Sequence, residues 1–175
     1  MHKYSIAFQS TKPFVDWSQN VKMDVENILV TGASRGLGLE LALELSRCGV
    51  RTYAILRSEN CKGYGILLSE GVEVVIADLS DRKALNGAIE SILEKEKTLD
   101  AVISNGAIID SAEIENLSED EILNIISVNF IAPLFLATLP VKHISNPFRF
   151  IQIGGEVEPV QCQVIQSMPA QSLEY

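Results

Sequence analysis

The chain has 175 residues, the size of about one domain. Its 47% hydrophobic and 21% charged residues are the balance of a globular chain able to bury a sizeable core. The formal net charge of -9 argues against a nucleic-acid footprint, which needs a basic patch, yet leaves room for an anionic ligand at a local cluster of donors. Residues 1–25 are mixed in character and read as an N-terminal extension to a domain spanning 26–175. The pattern then becomes regular. Asn27-Ile28-Leu29-Val30 is a short apolar run that stops at Thr31-Gly32. Leu37, Leu41 and Leu45 follow at helical spacing, with Glu40 and Glu44 on another face, and Gly49 ends that helix. Thr52–Leu56, Val72–Ala77, Leu99–Ser104 and Phe148–Ile153 are further apolar runs.

Helical stretches are predicted between these runs. One covers Asp81–Lys97, with Leu85, Ala88, Ile89 and Ile92 on its apolar side. A longer one follows Ser118, whose spacing to Glu121 is that of a capping box. Strands apolar on both faces, alternating with helices, predict an α/β fold with a doubly wound parallel sheet, a Rossmann fold. Cys48, Cys61 and Cys162 are odd in number and lack a CxxC pair, so neither a zinc site nor a disulfide framework is expected. Reduced thiols, no apolar run read as long enough to span a membrane and no signal-type leader make a cytoplasmic protein the expectation. His2 and His143 read as incidental, and no metal is expected.

The segment with chemical content is Thr31-Gly32-Ala33-Ser34-Arg35-Gly36-Leu37-Gly38, between the first strand and the first helix. A tight strand-to-helix turn needs residues free of Cβ strain. Gly36 would let a pyrophosphate approach the backbone, and Gly38 would let the helix pack closely on the strand. The helix N-terminus offers unpaired N–H groups and partial positive charge to phosphates. Gly32, Ser34, Arg35, Gly36, Leu37 and Gly38 are therefore candidate cofactor residues. A P-loop is excluded because no Gly-Lys-Ser/Thr ending is present.

TGASRGLG resembles the TGxxxGxG signature of short-chain dehydrogenases/reductases. Three more motifs stand in that family's order: Asp78-Leu79, similar to its adenine-contacting Asp; Ser104-Asn105-Gly106-Ala107, similar to its NNAG segment; and Asn129 in the long helix. The resemblance covers residues 26 to about 155. It implies an oxidoreductase that moves a hydride between a nicotinamide cofactor and a small carbonyl or alcohol substrate. It also implies a homo-oligomer for a full-length parent. A sugar-nucleotide epimerase fits less well, because its turn is spaced TGxxGxxG.

NADP(H) is the expected cofactor rather than NAD. The second strand ends at Leu56 followed by Arg57, where an NAD site usually has a carboxylate for the ribose. Arg35 is a second guanidinium beside the same ribose, and two such forks suit a 2′-phosphate. Asn129 is followed by Pro133, which cannot donate to the Asn129 carbonyl, so a kinked helix with a free carbonyl is expected there. The resemblance implies that such an Asn helps a water reach the catalytic lysine.

The catalytic set departs from the family pattern. Glycine, at Gly154-Gly155, stands where the family has its serine. Tyr175 is the candidate for the family's tyrosine, but the chain carries no lysine four residues beyond it; an unrelated tyrosine is the other reading. Ser167 and Ser172 are poorly spaced substitutes. The chain thus resembles the cofactor half of the family's domain, and the alternative function is a non-catalytic NADP-binding protein. Ile108, Ile109 and Ile114 would form one apolar wall of a substrate pocket or else belong to the core. The expectation is that this polypeptide alone has little or no reductase activity. A purified 175-residue chain that oxidises NADPH with a carbonyl substrate would overturn it.

Overall fold

Each apolar run becomes a strand because it is too short for a helix and is followed by an amphipathic segment that covers it. In the computed structural model, which describes residues 25–96, 99–108, 116–143, 148–154 and 162–166, strands β1 (Asn27–Thr31), β2 (Arg51–Leu56), β3 (Glu73–Ile76), β4 (Ala101–Ser104) and β5 (Arg149–Ile153) are parallel. A sixth strand, β6 (Cys162–Gln166), runs antiparallel to β5. The order is β3-β2-β1-β4-β5-β6. The chain steps outward from β1 to β3 on one side and from β4 to β6 on the other. The crevice of such a sheet lies beyond the carboxyl ends of β1 and β4, where the winding reverses.

Strand side chains alternate between two cores. Ile28, Val30, Ala54, Leu56 and Ile103 face α1 (Gly36–Arg47) and α2 (Lys62–Ser69). Leu29, Tyr53, Ile55, Val102 and Phe150 face α3 (Arg82–Glu96) and the last helix, through Leu85, Ile89, Ile92 and Leu136. All five residues of β1 are buried. Burying a side chain such as Leu29 contributes roughly 1.5–3 kcal/mol, so the central strand anchors both layers.

The expected helix signals appear. Gly49 has φ +81°, and its N–H donates to the Ser46 carbonyl (2.9 Å) while Val50 N–H donates to Leu45 (3.0 Å), closing α1. At the start of α4 (Glu119–Ile126), Glu121 N–H donates to the Ser118 hydroxyl (3.3 Å) and Ser118 N–H donates to the Glu121 carboxylate (2.8 Å). The Ser118 hydroxyl, and then its amide, hold the Glu121 carboxyl below its ordinary value. The helix α2 gave little sequence signal, since Gly63 and Gly65 dilute its period. The strand β6 was also unanticipated.

Two expectations need correction. The long helix is not a continuous α-helix interrupted only at Pro133. It passes from α4 through a π-helical turn, Ser127–Ile131, into α5 (Ala132–His143), with Ala132 N–H donating to the Ser127 carbonyl. Widening one turn moves the acceptor pattern by a residue and so accommodates the N–H that proline lacks. The expectation of no membrane-length apolar run also fails by length and composition. Glu119–Thr138 is 20 residues with mean hydropathy 1.6. Val128, Ala132 and Leu136 of this stretch are buried in the domain, whereas Ile122, Leu123, Ile126, Phe130, Ile131 and Leu134 form an exposed apolar stripe.

At the opposite end of the sheet from the crevice, Tyr53 donates to the Glu96 carboxylate. Arg51 pairs with Glu96 (2.7 Å) and Glu73 (2.9 Å), and Lys95 also pairs with Glu73. Burial, and then the hydrogen bond to Glu96, push the Tyr53 phenol up to about 12. The folded state therefore favours the protonated phenol. Its stabilisation is complete below the unfolded value of about 10 and is lost as pH rises toward about 12. Urea midpoints taken at pH 9 and 11 should fall more steeply for the parent chain than for Tyr53→Phe; parallel curves would contradict this.

Candidate functional site

The bend after β1 is shaped by two glycines in the left-handed region, Gly32 (φ +68°) and Gly36 (φ +59°). A side chain at Gly32 would meet the Gly106 backbone at 2.5–2.7 Å, so glycine is required there by space as well as by φ. Gly36 faces open space, with nothing within 4 Å of a Cβ placed on it. Gly38 is the close-packing glycine: a Cβ would collide with the Gly32 carbonyl and the Asn105 side-chain amide. The helix α1 starts at Gly36 with no side chain capping it and no acid in its first turn. Its first N–H groups are thus left for an anion.

A hydroxyl ties this bend to the next strand. Buried Thr31 accepts from the N–H groups of Asn105 and Gly106 (both 3.2 Å), and the Asn105 side chain donates to the Gly32 carbonyl (3.2 Å). Gly106 is buried and Ala107 exposed on the loop leaving β4. Thr31 is a site-forming residue that sequence reasoning passed over. It stood as the first letter of the TGxxxGxG pattern but was not among the candidate cofactor residues.

The remaining candidates fall around the same crevice. Ser34 is half-buried, while Arg35 and Leu37 are exposed at the mouth of the bend. Arg57 is exposed directly after β2. Asp78 and Leu79 follow β3, and the Asp78 carboxylate accepts from the Ser80 N–H and hydroxyl through one oxygen (2.8 Å each). Leu79 packs so closely on Gly106 that a Cβ there would strike it. Asn129 joins the crevice by its side chain: Oδ1 accepts from Ile108 N–H (2.8 Å) and Nδ2 donates to the Ile108 carbonyl (2.7 Å). Sequence reasoning assigned this residue a role for its carbonyl and did not foresee the paired amide contact. Gly154 is exposed at the end of β5. Tyr175, Gly155, Ser167, Ser172, Ile109 and Ile114 lie outside the described residues. Among the described residues no cluster of three metal-ligating side chains occurs.

This combination is a dinucleotide-binding α/β domain: an open glycine bend, an uncapped helix start and a switch-point crevice. Residues 26–152 match the family model for short chain dehydrogenases, and the chain belongs to that family of oxidoreductases. It is 29% identical over 149 residues to a versicolorin reductase of Emericella nidulans, covering 82% of this chain and 56% of that protein. The NADPH-bound carbonyl reductase from chicken fatty liver is 25% identical, with TM-score 0.60 over 68% of this chain and 51% of that one. A short chain dehydrogenase from Burkholderia cenocepacia shares the fold, with TM-score 0.66 at 22% identity, covering 73% and 54% of the two chains. The chain spans about half the length of the curated relatives it matches.

Thr31→Val should test the hydroxyl seam. It keeps the shape but strands two N–H groups, so a loss of about 1–3 kcal/mol is expected in denaturant unfolding. Thr31→Ser should recover most of it, and an unchanged Val variant would contradict the seam's importance.

Proposed function

We propose that this chain forms the cofactor-binding part of an NADP(H)-dependent oxidoreductase that interconverts carbonyl and alcohol groups on small molecules. The observation that carries the reading is the open bend at Gly36 beside two exposed arginines, with no carboxylate closing β2. The N–H groups at the start of α1 would hold the pyrophosphate. Arg35 and Arg57 would hold the ribose 2′-phosphate, and neither makes an ion pair among the described residues. Asp78, Leu79 and the Asn105–Ala107 loop would border the adenosine. NAD is the less favoured cofactor, since Leu56 and Arg57 offer no acceptor for a free 2′-hydroxyl. The NADPH-bound state of the chicken carbonyl reductase is in keeping with this.

A bound nicotinamide would supply the hydride. The chain's own share described here is to fix the dinucleotide and brace the loop after β4. Asn129 does the latter, gripping both backbone polar groups of Ile108. The exposed stripe on α4 and α5 supports a homo-oligomer of the full-length protein. The free thiols Cys48 and Cys61 are in keeping with a cytoplasmic location. A non-catalytic NADP-binding protein is the second reading, favoured by glycine at position 154, at the end of β5.

Titration with NADPH and with NADH, followed by nicotinamide fluorescence, tests the reading. NADPH should bind at least about tenfold tighter, and the Arg35→Ala/Arg57→Ala pair should remove that preference. Equal affinities in the parent chain would cancel the roles of both arginines, and no binding of either would end the reading.

A further inference from the structure

A third cation sits beside the bend. Gly63, in the first turn of α2, is buried, and a Cβ on it would lie 2.7 Å from the Ser34 carbonyl oxygen and 3.0 Å from that of Ala33. Only a residue without a side chain lets the α2 start abut the glycine bend so closely. The residue before it, Lys62, is exposed and makes no ion pair among the described residues. It is therefore held one residue from a backbone contact to Ser34, which itself precedes Arg35. Arg57 opens the loop that leads into α2 at Lys62.

Resting on the NADP(H) reading above, we propose that Lys62 is a specificity-determining residue: a third positive charge for the ribose 2′-phosphate, positioned by the contact of Gly63 with Ser34. Arg35, Arg57 and Lys62 make no ion pair among the described residues and stand on the bend and on the segment from β2 to the α2 start that abuts it, in a chain whose acids outnumber its bases by 23 to 14. Glu59, the acidic side chain of the same loop, pairs with none of them. No acid stands in the first turn of α2 to neutralise the lysine. A flexible ammonium suits a phosphate as a point charge, whereas the two guanidiniums supply directed forks. Gly63 acts through Ser34 and is a positioning residue.

The test is fluorescence titration of the 175-residue chain and its Lys62→Gln and Lys62→Arg variants with NADPH and NADH across a salt series. Lys62→Gln should weaken NADPH roughly fivefold, the order of one exposed charge pair, and NADH less than about twofold. Its NADPH affinity should also depend less steeply on salt, and Lys62→Arg should restore most of the loss. A parent chain that prefers NADPH, with a Lys62→Gln variant that loses neither cofactor or both alike, overturns the role of Lys62 alone. A parent chain with no preference overturns the NADP(H) reading and this inference together. Gly63→Ala provides the positioning arm: it should weaken both cofactors, because it displaces the bend itself. Undiminished binding by a folded Gly63→Ala protein would remove the contact from the argument.

Discussion

The Thr31 hydroxyl stands at the point where the two halves of the sheet meet. It takes hydrogen bonds from two successive N–H groups of the loop after β4, and it belongs to the strand that leads into the glycine bend. Through it, the position of the bend is set relative to the Asn105–Ala107 loop. The contact also explains why glycine recurs on both sides. Gly32 lies so close to the Gly106 backbone that it could not bear a side chain, while a side chain on Gly106 would strike Leu79. A single buried acceptor thus fixes the spacing on which the proposed nucleotide site depends, and buried acceptors of this kind are costly to lose.

The central parts of the fold were legible because their signals are local. Apolar runs of strand length, the Gly49 stop and the Ser118–Glu121 cap depend on neighbours within a few residues, and each appears where expected. The resemblance read from short motifs in order agrees with the family match over residues 26–152. What was not legible depends on distance in sequence. The pairing of Asn129 with Ile108 joins residues 21 apart, and nothing in the spacing of Pro133 discloses that a π-helical turn precedes it. The Gly63–Ser34 contact joins two glycine-containing segments whose own patterns say only that each is loose. β6 carries glutamines at both apolar flanks, so neither period dominates.

The electrostatics follow a division of labour between the two ends of the sheet. At the carboxyl end, Arg35, Arg57 and Lys62, which make no ion pair among the described residues, stand beside an open bend. At the amino end, Arg51, Lys95, Glu73 and Glu96 are matched to one another around the Tyr53 hydroxyl. Matched surface ions contribute modestly to stability. Their arrangement leaves the uncompensated positive charge where a phosphate would be read, in spite of the chain's negative total.

The matched cluster also has a bearing on how the sheet ends. β3 is an edge of only four residues, and Glu73, its first residue, is held in place by Arg51 from the neighbouring strand and Lys95 from α3. A short border carrying a fixed charge is a poor template for another extended chain. The same ion cluster that closes the bottom of the domain therefore guards it against open-ended strand recruitment, a hazard that a sheet with an exposed border otherwise carries throughout its life in a crowded solution.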